Sequence, residues 1–135
     1  MKQVAEVMSK DVKTVDVQDT VGTALRLMEE HGIRHLPVLE RGGLVGIVSD
    51  RDLRSCQPPL EGEWDRIDYA MSLLNQPIRQ HMTSDPYSVR TTAPISEAVD
   101  KVVNHRIGCL CVVDGTNSLV GVVSQLDLLA ELRPD

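Results

Sequence analysis

The sequence is almost without aromatic residues: no Phe, two Tyr and one Trp among 135 residues. Stacking on aromatic rings is a common way to hold single-stranded nucleic acid, and that device is missing. Basic residues are also few, with 14 Lys and Arg against 20 Asp and Glu and a formal net charge of −6. They are scattered and form no patch able to neutralise a phosphate backbone, so nucleic acid is set aside as a partner. No apolar run reaches the ~18 residues of a membrane-spanning helix, so no membrane partner is expected. The start, Met1-Lys2-Gln3-Val4-Ala5-Glu6, lacks the apolar stretch of a secretory signal, and a cytoplasmic location is the expectation.

Cysteine is scarce, and its count of three is odd. Without an export signal that argues against a disulfide framework. Cys109 and Cys111 lie two apart in an apolar run, so on a strand they share a face and read as small core residues. A metal or redox role would need further ligands, and neither Cys56 nor the four His stand at metal-ligand spacing. No Walker-type glycine-rich loop is present, and no Ser, Cys or Lys has a base and an orienting partner by motif. The chain therefore reads as a non-enzyme.

What the sequence does have is one unit written twice. Leu44-Val45-Gly46-Ile47-Val48-Ser49-Asp50-Arg51-Asp52-Leu53 recurs, offset by 75, as Leu119-Val120-Gly121-Val122-Val123-Ser124-Gln125-Leu126-Asp127-Leu128. Upstream the offset is 74: Met8, Asp11, Val15, Ala24, His31, Ile33, Leu36 and Val38 recur as Met82, Asp85, Val89, Ala98, His105, Ile107, Leu110 and Val112. The slip falls at a turn, where an insertion costs least. The organisation that follows is repeat 1 over 1–54, a linker with a helix over 55–77, and repeat 2 over 78–135. Two such units packed about a pseudo-two-fold axis would make two equivalent clefts, natural places for a ligand.

Each repeat reads as strand, helix, strand, strand, helix. Val12 to Val17 alternates apolar and polar residues, as a half-buried strand does. Asp19 stands where it can cap a helix whose apolar face is Val21, Ala24, Leu25 and Met28, and Gly32 stops that helix. In repeat 2, Pro94 opens the equivalent helix, with Ile95, Ala98, Val99 and Val102 on its face. Leu36 to Leu39 and Leu44 to Val48 form a hairpin across Gly42-Gly43, and Leu110 to Val113 pairs likewise with Leu119 to Val123. These strands are apolar on both faces, so helices should cover them, and the fold class is α+β. In the linker, Trp64, Ile67, Met71 and Leu74 make a helical stripe, either packed on its own module or serving a dimer contact. The tail Arg133-Pro134-Asp135 is expected to fray.

The chemistry gathers where an apolar strand turns into a helix. Ser49 is a good N-cap and Asp52 follows three residues later, close to a capping box, and Ser124 and Asp127 repeat the form. Such a pair needs no ligand. It also suits one: the helix start and a Ser hydroxyl donate to phosphate, while a carboxylate one turn in accepts from ribose hydroxyls. Arg51 could add charge-assisted bonds to phosphate. His31 and His105, at matched helix ends, are read as structural, and Asp11 and Asp85 as loop caps.

Taken together, the Met8-Ser9-Lys10-Asp11 and Met82-Thr83-Ser84-Asp85 starts, the segment Ile33-Arg34-His35-Leu36-Pro37-Val38 and the two Gly-apolar-apolar-Ser-x-x-Asp endings resemble a tandem pair of CBS domains, a Bateman module. The resemblance covers nearly the whole chain. It implies two β-α-β-β-α repeats packed with pseudo-two-fold symmetry, often a homodimer forming a disc of four repeats. It implies a regulatory, energy-sensing role in which an adenosine-containing ligand (AMP, ADP or ATP, or S-adenosylmethionine) binds between the repeats and an unidentified protein is regulated. By resemblance the phosphate-side hydroxyl falls on Ser49 and Ser124 and the ribose carboxylate on Asp52 and Asp127. Arg34 and His35 reach phosphate, and Val12, Thr14, Pro86 and Ser88 line the adenine. Repeat 2 departs from this pattern: Gly108-Cys109 replaces Arg34-His35, Cys111 replaces Pro37 and Leu126 replaces Arg51. The competing reading is a ligand-free dimerisation or protein-interaction scaffold in which both Ser-x-x-Asp pairs only cap helices.

Overall fold

The computed structural model describes residues 2–54 and 66–133, apart from the side chains of 66, 67 and 69. Cys56, Trp64, Pro134 and Asp135 lie outside the described residues, and with them the Trp64 part of the linker stripe and most of the tail. The order of elements in the first repeat is β1 (Val15–Asp16), α1 (Val21–His31), β2 (His35–Glu40), β3 (Gly43–Ser49) and α2 (Asp50–Arg54). Then come α3 (Arg66–Leu74) and β4 (Thr83–Ser84). The second repeat follows as β5 (Ser88–Arg90), α4 (Ile95–His105), β6 (Cys109–Val113), β7 (Leu119–Ser124) and α5 (Gln125–Ala130). The strand-helix-strand-strand-helix order is thus present twice, in a mixed α+β fold with two sheets.

The chain divides into two compact units, each with its own core. One gathers Lys13–Arg41 with Val45–Asp85, and is called here the first unit. The other, the second unit, gathers Met1–Val12, Gly42–Leu44 and Pro86–Asp135. Each unit therefore takes in the opening segment of the other repeat. Met1–Val12 completes the second unit, and the stretch through Ile78 and Met82 completes the first.

Two glycines show what seats these segments. A Cβ added at Gly121 would lie 2.7 Å from Met8 Sδ and 2.8 Å from the Ser9 carbonyl oxygen. One added at Gly46 would lie 2.6 Å from Met82 Sδ and 2.9 Å from the Thr83 carbonyl oxygen. The thioether can swing aside, but the carbonyl belongs to a strand pairing. Ser9 bridges Val122, and β4 runs antiparallel to β3 with Thr83 opposite Ile47. Only glycine lets the Met-Ser and Met-Thr backbones approach so closely.

In the first unit the sheet order is β1-β2-β3-β4, with β1 parallel to β2. The β2–β3 turn has positive φ at Arg41 (52°) and Gly42 (81°), the pattern of a tight type I′ hairpin. Leu36, Val38 and Val48 from the sheet meet Val21, Ala24 and Met28 from α1 and Ile78 from the α3–β4 connection. Burying each of the Val, Leu, Ile and Met side chains among these is worth about 1.5–3 kcal/mol. Leu74 at the end of α3 lies against Gly22 of α1, its carbonyl oxygen 3.3 Å from where a Cβ would stand. Leu25 is 36% exposed, at the edge of the expected face. The second unit has sheet order β5-β6-β7, with β5 parallel to β6 and β6 antiparallel to β7. Its core joins Leu110, Val112 and Val123 to Ala98 and Val102 of α4, with Val4 from the N-terminal segment.

Local details differ from the sequence reading at three points. Thr20, not Asp19, caps α1, accepting from Thr23 N at 3.2 Å. Asp19 instead accepts from Asp16 N at 2.8 Å and closes the turn before the helix. Pro94 is the N-cap of α4 rather than its first residue, and the strand expected over Val12 to Val17 pairs only at Val15–Asp16.

Candidate functional site

Ser49 ends β3, and the chain turns directly into α2. Asp52 N donates to Ser49 Oγ at 3.0 Å, and Ser49 N donates to the Asp52 carboxylate at 2.9 Å. The second unit repeats this with Asp127 N to Ser124 Oγ at 3.1 Å and Ser124 N to the Asp127 carboxylate at 2.9 Å. Each pair is a reciprocal capping box, satisfying two backbone donors that the helix start would otherwise leave unpaired. In each hydroxyl one lone pair is engaged, while the O–H remains a donor. All four side chains are half-buried, close to the surface.

The start of the hairpin meets the same place. Asp50 N donates to the Arg34 carbonyl at 2.9 Å, and in the second unit Gln125 N donates to the Gly108 carbonyl at 3.1 Å. This puts Arg34 and His35 beside the Ser49–Asp52 turn. It likewise puts Cys109 beside Ser124, its partner across β6 and β7. The two turns then differ in charge. Around Ser49 stand Arg34, His35, Asp50, Asp52 and the exposed Arg51. The His35 imidazole is held below its ordinary value chiefly by loss of hydration; the Asp50 and Asp52 carboxylates pull the other way and Arg34 adds to the lowering. At the matching place burial pushes the Cys109 thiol up to about 11, with the Asp127 carboxylate adding to the rise. Cys111, fully buried, is pushed up to about 12 by burial and by its neighbour Cys109. Both thiols stay protonated near neutrality and are poor nucleophiles, in keeping with core residues. Among the described residues no cluster of three or more His, Cys, Asp or Glu could hold a metal ion.

The remaining expected positions divide between the units. Thr14 is half-buried just before β1 in the first unit, whereas Val12, Pro86 and Ser88 belong to the second. The Ser88 carbonyl accepts from Lys101 Nζ at 2.7 Å, which ties this segment to α4. A feature not read from the sequence lies alongside. Tyr87 stacks on His105 with ring centroids 3.9 Å apart and planes 14° from parallel. Its signal was available in the scarcity of aromatic residues, since Tyr87 is one of only two Tyr and adjoins Pro86 and Ser88.

The family model for the CBS domain matches residues 4–58 and 78–134. A CBS domain-containing protein of Dictyostelium discoideum is 32% identical over 130 residues, spanning 93% of this chain and 88% of that protein. An inosine-5′-monophosphate dehydrogenase of Methanocaldococcus jannaschii is 30% identical over 130 residues, 96% of this chain but only 23% of the enzyme's length. Among solved structures, CBSX2 in complex with AMP matches with a TM-score of 0.80 and 24% identity, over 97% of this chain and 96% of that one. The CBS domain pair of protein MJ0100, in complex with 5′-methylthioadenosine and S-adenosyl-L-methionine, matches with a TM-score of 0.78 and 23% identity over 97% and 95% of the two chains.

Proposed function

The chain belongs to the CBS-domain family, and on that premise we propose that it is a regulatory module binding an adenine nucleotide at its Ser-x-x-Asp turns. The observation that carries the proposal is the duplication of one polar turn at matched positions, with hydrogen-bond lengths agreeing within about 0.1 Å. Two related pairs of nearly the same length are complexes with AMP and with S-adenosylmethionine and methylthioadenosine, which supports an adenosine ligand. Ser49 and Ser124 then donate their hydroxyls to the phosphate side, and Asp52 and Asp127 accept from the ribose. Arg34, His35 and Arg51 supply positive charge at the first turn, and Val12, Thr14, Pro86 and Ser88 line the base. The proposal assigns the chain no catalytic step. It includes a homodimer, a cytoplasmic location and an energy-sensing role exercised through a regulated protein. The ligand changes the surface offered to that protein only by as much as it binds one arrangement better than another.

One observation favours a second reading. Both Ser-x-x-Asp pairs already close capping boxes, which is all that a ligand-free scaffold requires of them. A narrower variant, S-adenosylmethionine binding, draws on the second turn, where Gly108, Cys109 and Leu126 offer no cation.

The test is isothermal titration calorimetry with AMP, ADP, ATP and S-adenosylmethionine, after unfolding and refolding to strip co-purified ligand. Saturable heat with a nucleotide, abolished by Asp52→Ala or Asp127→Ala in a folded protein, is the expected result. Heat with S-adenosylmethionine alone moves the assignment to the narrower variant. No heat with any of the four, and a capping loss of about 0.5–2 kcal/mol per substitution, leaves the scaffold.

A further inference from the structure

In the second unit, the segment assigned above to the base is held from outside by α4. Ser88 opens β5, a three-residue edge strand paired only with β6. Its carbonyl accepts from Lys101 Nζ at 2.7 Å, a charge-assisted bond at the short end of the range. One turn along the same face of α4, the His105 ring lies flat on the Tyr87 ring, centroids 3.9 Å apart. Lys101 is half-buried, and Tyr87 and His105 are exposed, so none of the three belongs to the core. The backbone leading into this segment is strained. Asp85, immediately before Pro86, has φ 52°. An L-residue avoids that region, and a following proline pushes it towards extended conformations instead. Such strain persists only where the surroundings over-determine it, and it gathers at ligand sites. The duplication supplies a comparison. Asp11, which matches Asp85, is not left-handed, and Lys13 and Leu27 stand where Tyr87 and Lys101 stand. Position 13 thus has no ring for His31, the match of His105, to stack on.

We propose that Tyr87, Lys101 and His105 are positioning residues: they clasp the segment Pro86–Ser88 to α4 and keep it, before any ligand arrives, in the shape that receives the base. This rests on the adenosine-ligand reading above and adds the groups that prepare one base-lining segment. Anchoring β5 does not need the clasp. Val89 is 3% exposed in the core and pairs with Val112. Ahead of Val89 the strand pairing weakens, and Cys111 N reaches the Tyr87 carbonyl only at 3.4 Å. The clasp acts on the residues that this pairing leaves loose. The ring stack fixes the Tyr87 side chain, the Lys101 ammonium fixes the Ser88 carbonyl, and Pro86 fixes its own φ. A segment ordered in advance loses less of its binding energy to ordering when the ligand arrives.

The test is an NMR titration of the refolded protein with AMP and, separately, with adenosine, following the backbone amides of Tyr87, Ser88 and Val89. In the wild type these signals should move with both. Tyr87→Leu and Lys101→Met should raise the dissociation constant read from them about 3- to 10-fold for both ligands. Tyr87→Phe keeps the stack and Lys101→Arg keeps the cation, and both should restore most of the affinity. Because the two rings act as one, adding His105→Ala to Tyr87→Leu should weaken binding no further. Variants that lower Tm but leave the dissociation constant unchanged would show a purely structural tie and overturn the proposal. So would Phe and Arg variants no better than Leu and Met. A Lys101→Met loss seen with AMP but not with adenosine would be a field effect on the phosphate, and overturns positioning of the base. Wild-type amides that stay still while calorimetry gives heat overturn the proposal and leave the ligand reading standing. Still amides with no heat from any ligand remove both.

Discussion

His35 and Cys109 occupy matched positions at the two Ser-x-x-Asp turns, and burial acts on them with opposite consequences. For the thiol, burial moves titration up to about 11, and Cys109 stays neutral throughout the physiological range. For the imidazole, burial lowers the value below the ordinary 6.5, because loss of hydration disfavours the charged ring. The folded state prefers the neutral ring, so as pH falls the unfolded chain takes up this proton first. Stability is therefore undiminished above about 6.5 and is lost as pH falls through that value to the lower folded-state one. Thermal melts at about pH 7.5 and about pH 5.5 should show a smaller loss of Tm in His35→Gln than in the wild type. Every other ionisable group is common to the two proteins, so the difference reports His35. Equal losses would show that the ring is as well hydrated in the fold as in the unfolded chain.

At the scale of elements, α1 and α4 are matched helices of 11 residues that end differently. Gly32 closes α1 at φ 63° and ψ 35°, and Arg106 closes α4 at φ 54° and ψ 45°. The same left-handed cap is strain-free in glycine and costs an L-residue about 1–2 kcal/mol. A cation at a helix C-terminus recovers about 0.3–1 kcal/mol of that. Arg106→Gly is thus expected to stabilise the protein by about 0.5–1 kcal/mol, and Gly32→Ala to destabilise it by about 1 kcal/mol, both read from urea denaturation midpoints. A destabilised Arg106→Gly would mean that the arginine side chain contributes more than its charge. The pair also shows what sequence can carry. The Gly32 stop was legible because glycine announces a left-handed cap, and the Arg106 stop was not, because nothing local distinguishes it. Asp19 and Thr20 are adjacent candidate caps, and geometry alone selects Thr20. Hydrophobic spacing tells which face of an element is buried, not which unit buries it. That is why the seating of Met8 against Gly121 and of Met82 against Gly46 emerges only in three dimensions.

For the molecule as a whole, the duplication made the two Ser-x-x-Asp turns and their strand-helix setting readable. Sequence could not weigh cap against ligand site, because one pair of groups serves both. Those roles separate by linkage. A ligand that binds only the folded chain adds about 2.7 kcal/mol per site at a concentration about 100 times its dissociation constant, or roughly 6–12 °C in Tm for a chain of this size. A cap is indifferent to ligand concentration. AMP at about 100 times its dissociation constant should therefore raise the wild-type Tm by about that amount for each site it fills, and the rise should grow with the logarithm of AMP concentration. Asp52→Ala should lower the unliganded Tm by its capping loss and, in addition, cancel the share of the rise belonging to the first turn. Asp127→Ala should do the same for the second, and the two shares should differ, because Arg34, His35 and Arg51 flank only the first turn. A variant that loses unliganded stability while keeping the whole AMP-dependent rise would place that carboxylate in the helix cap and nowhere else.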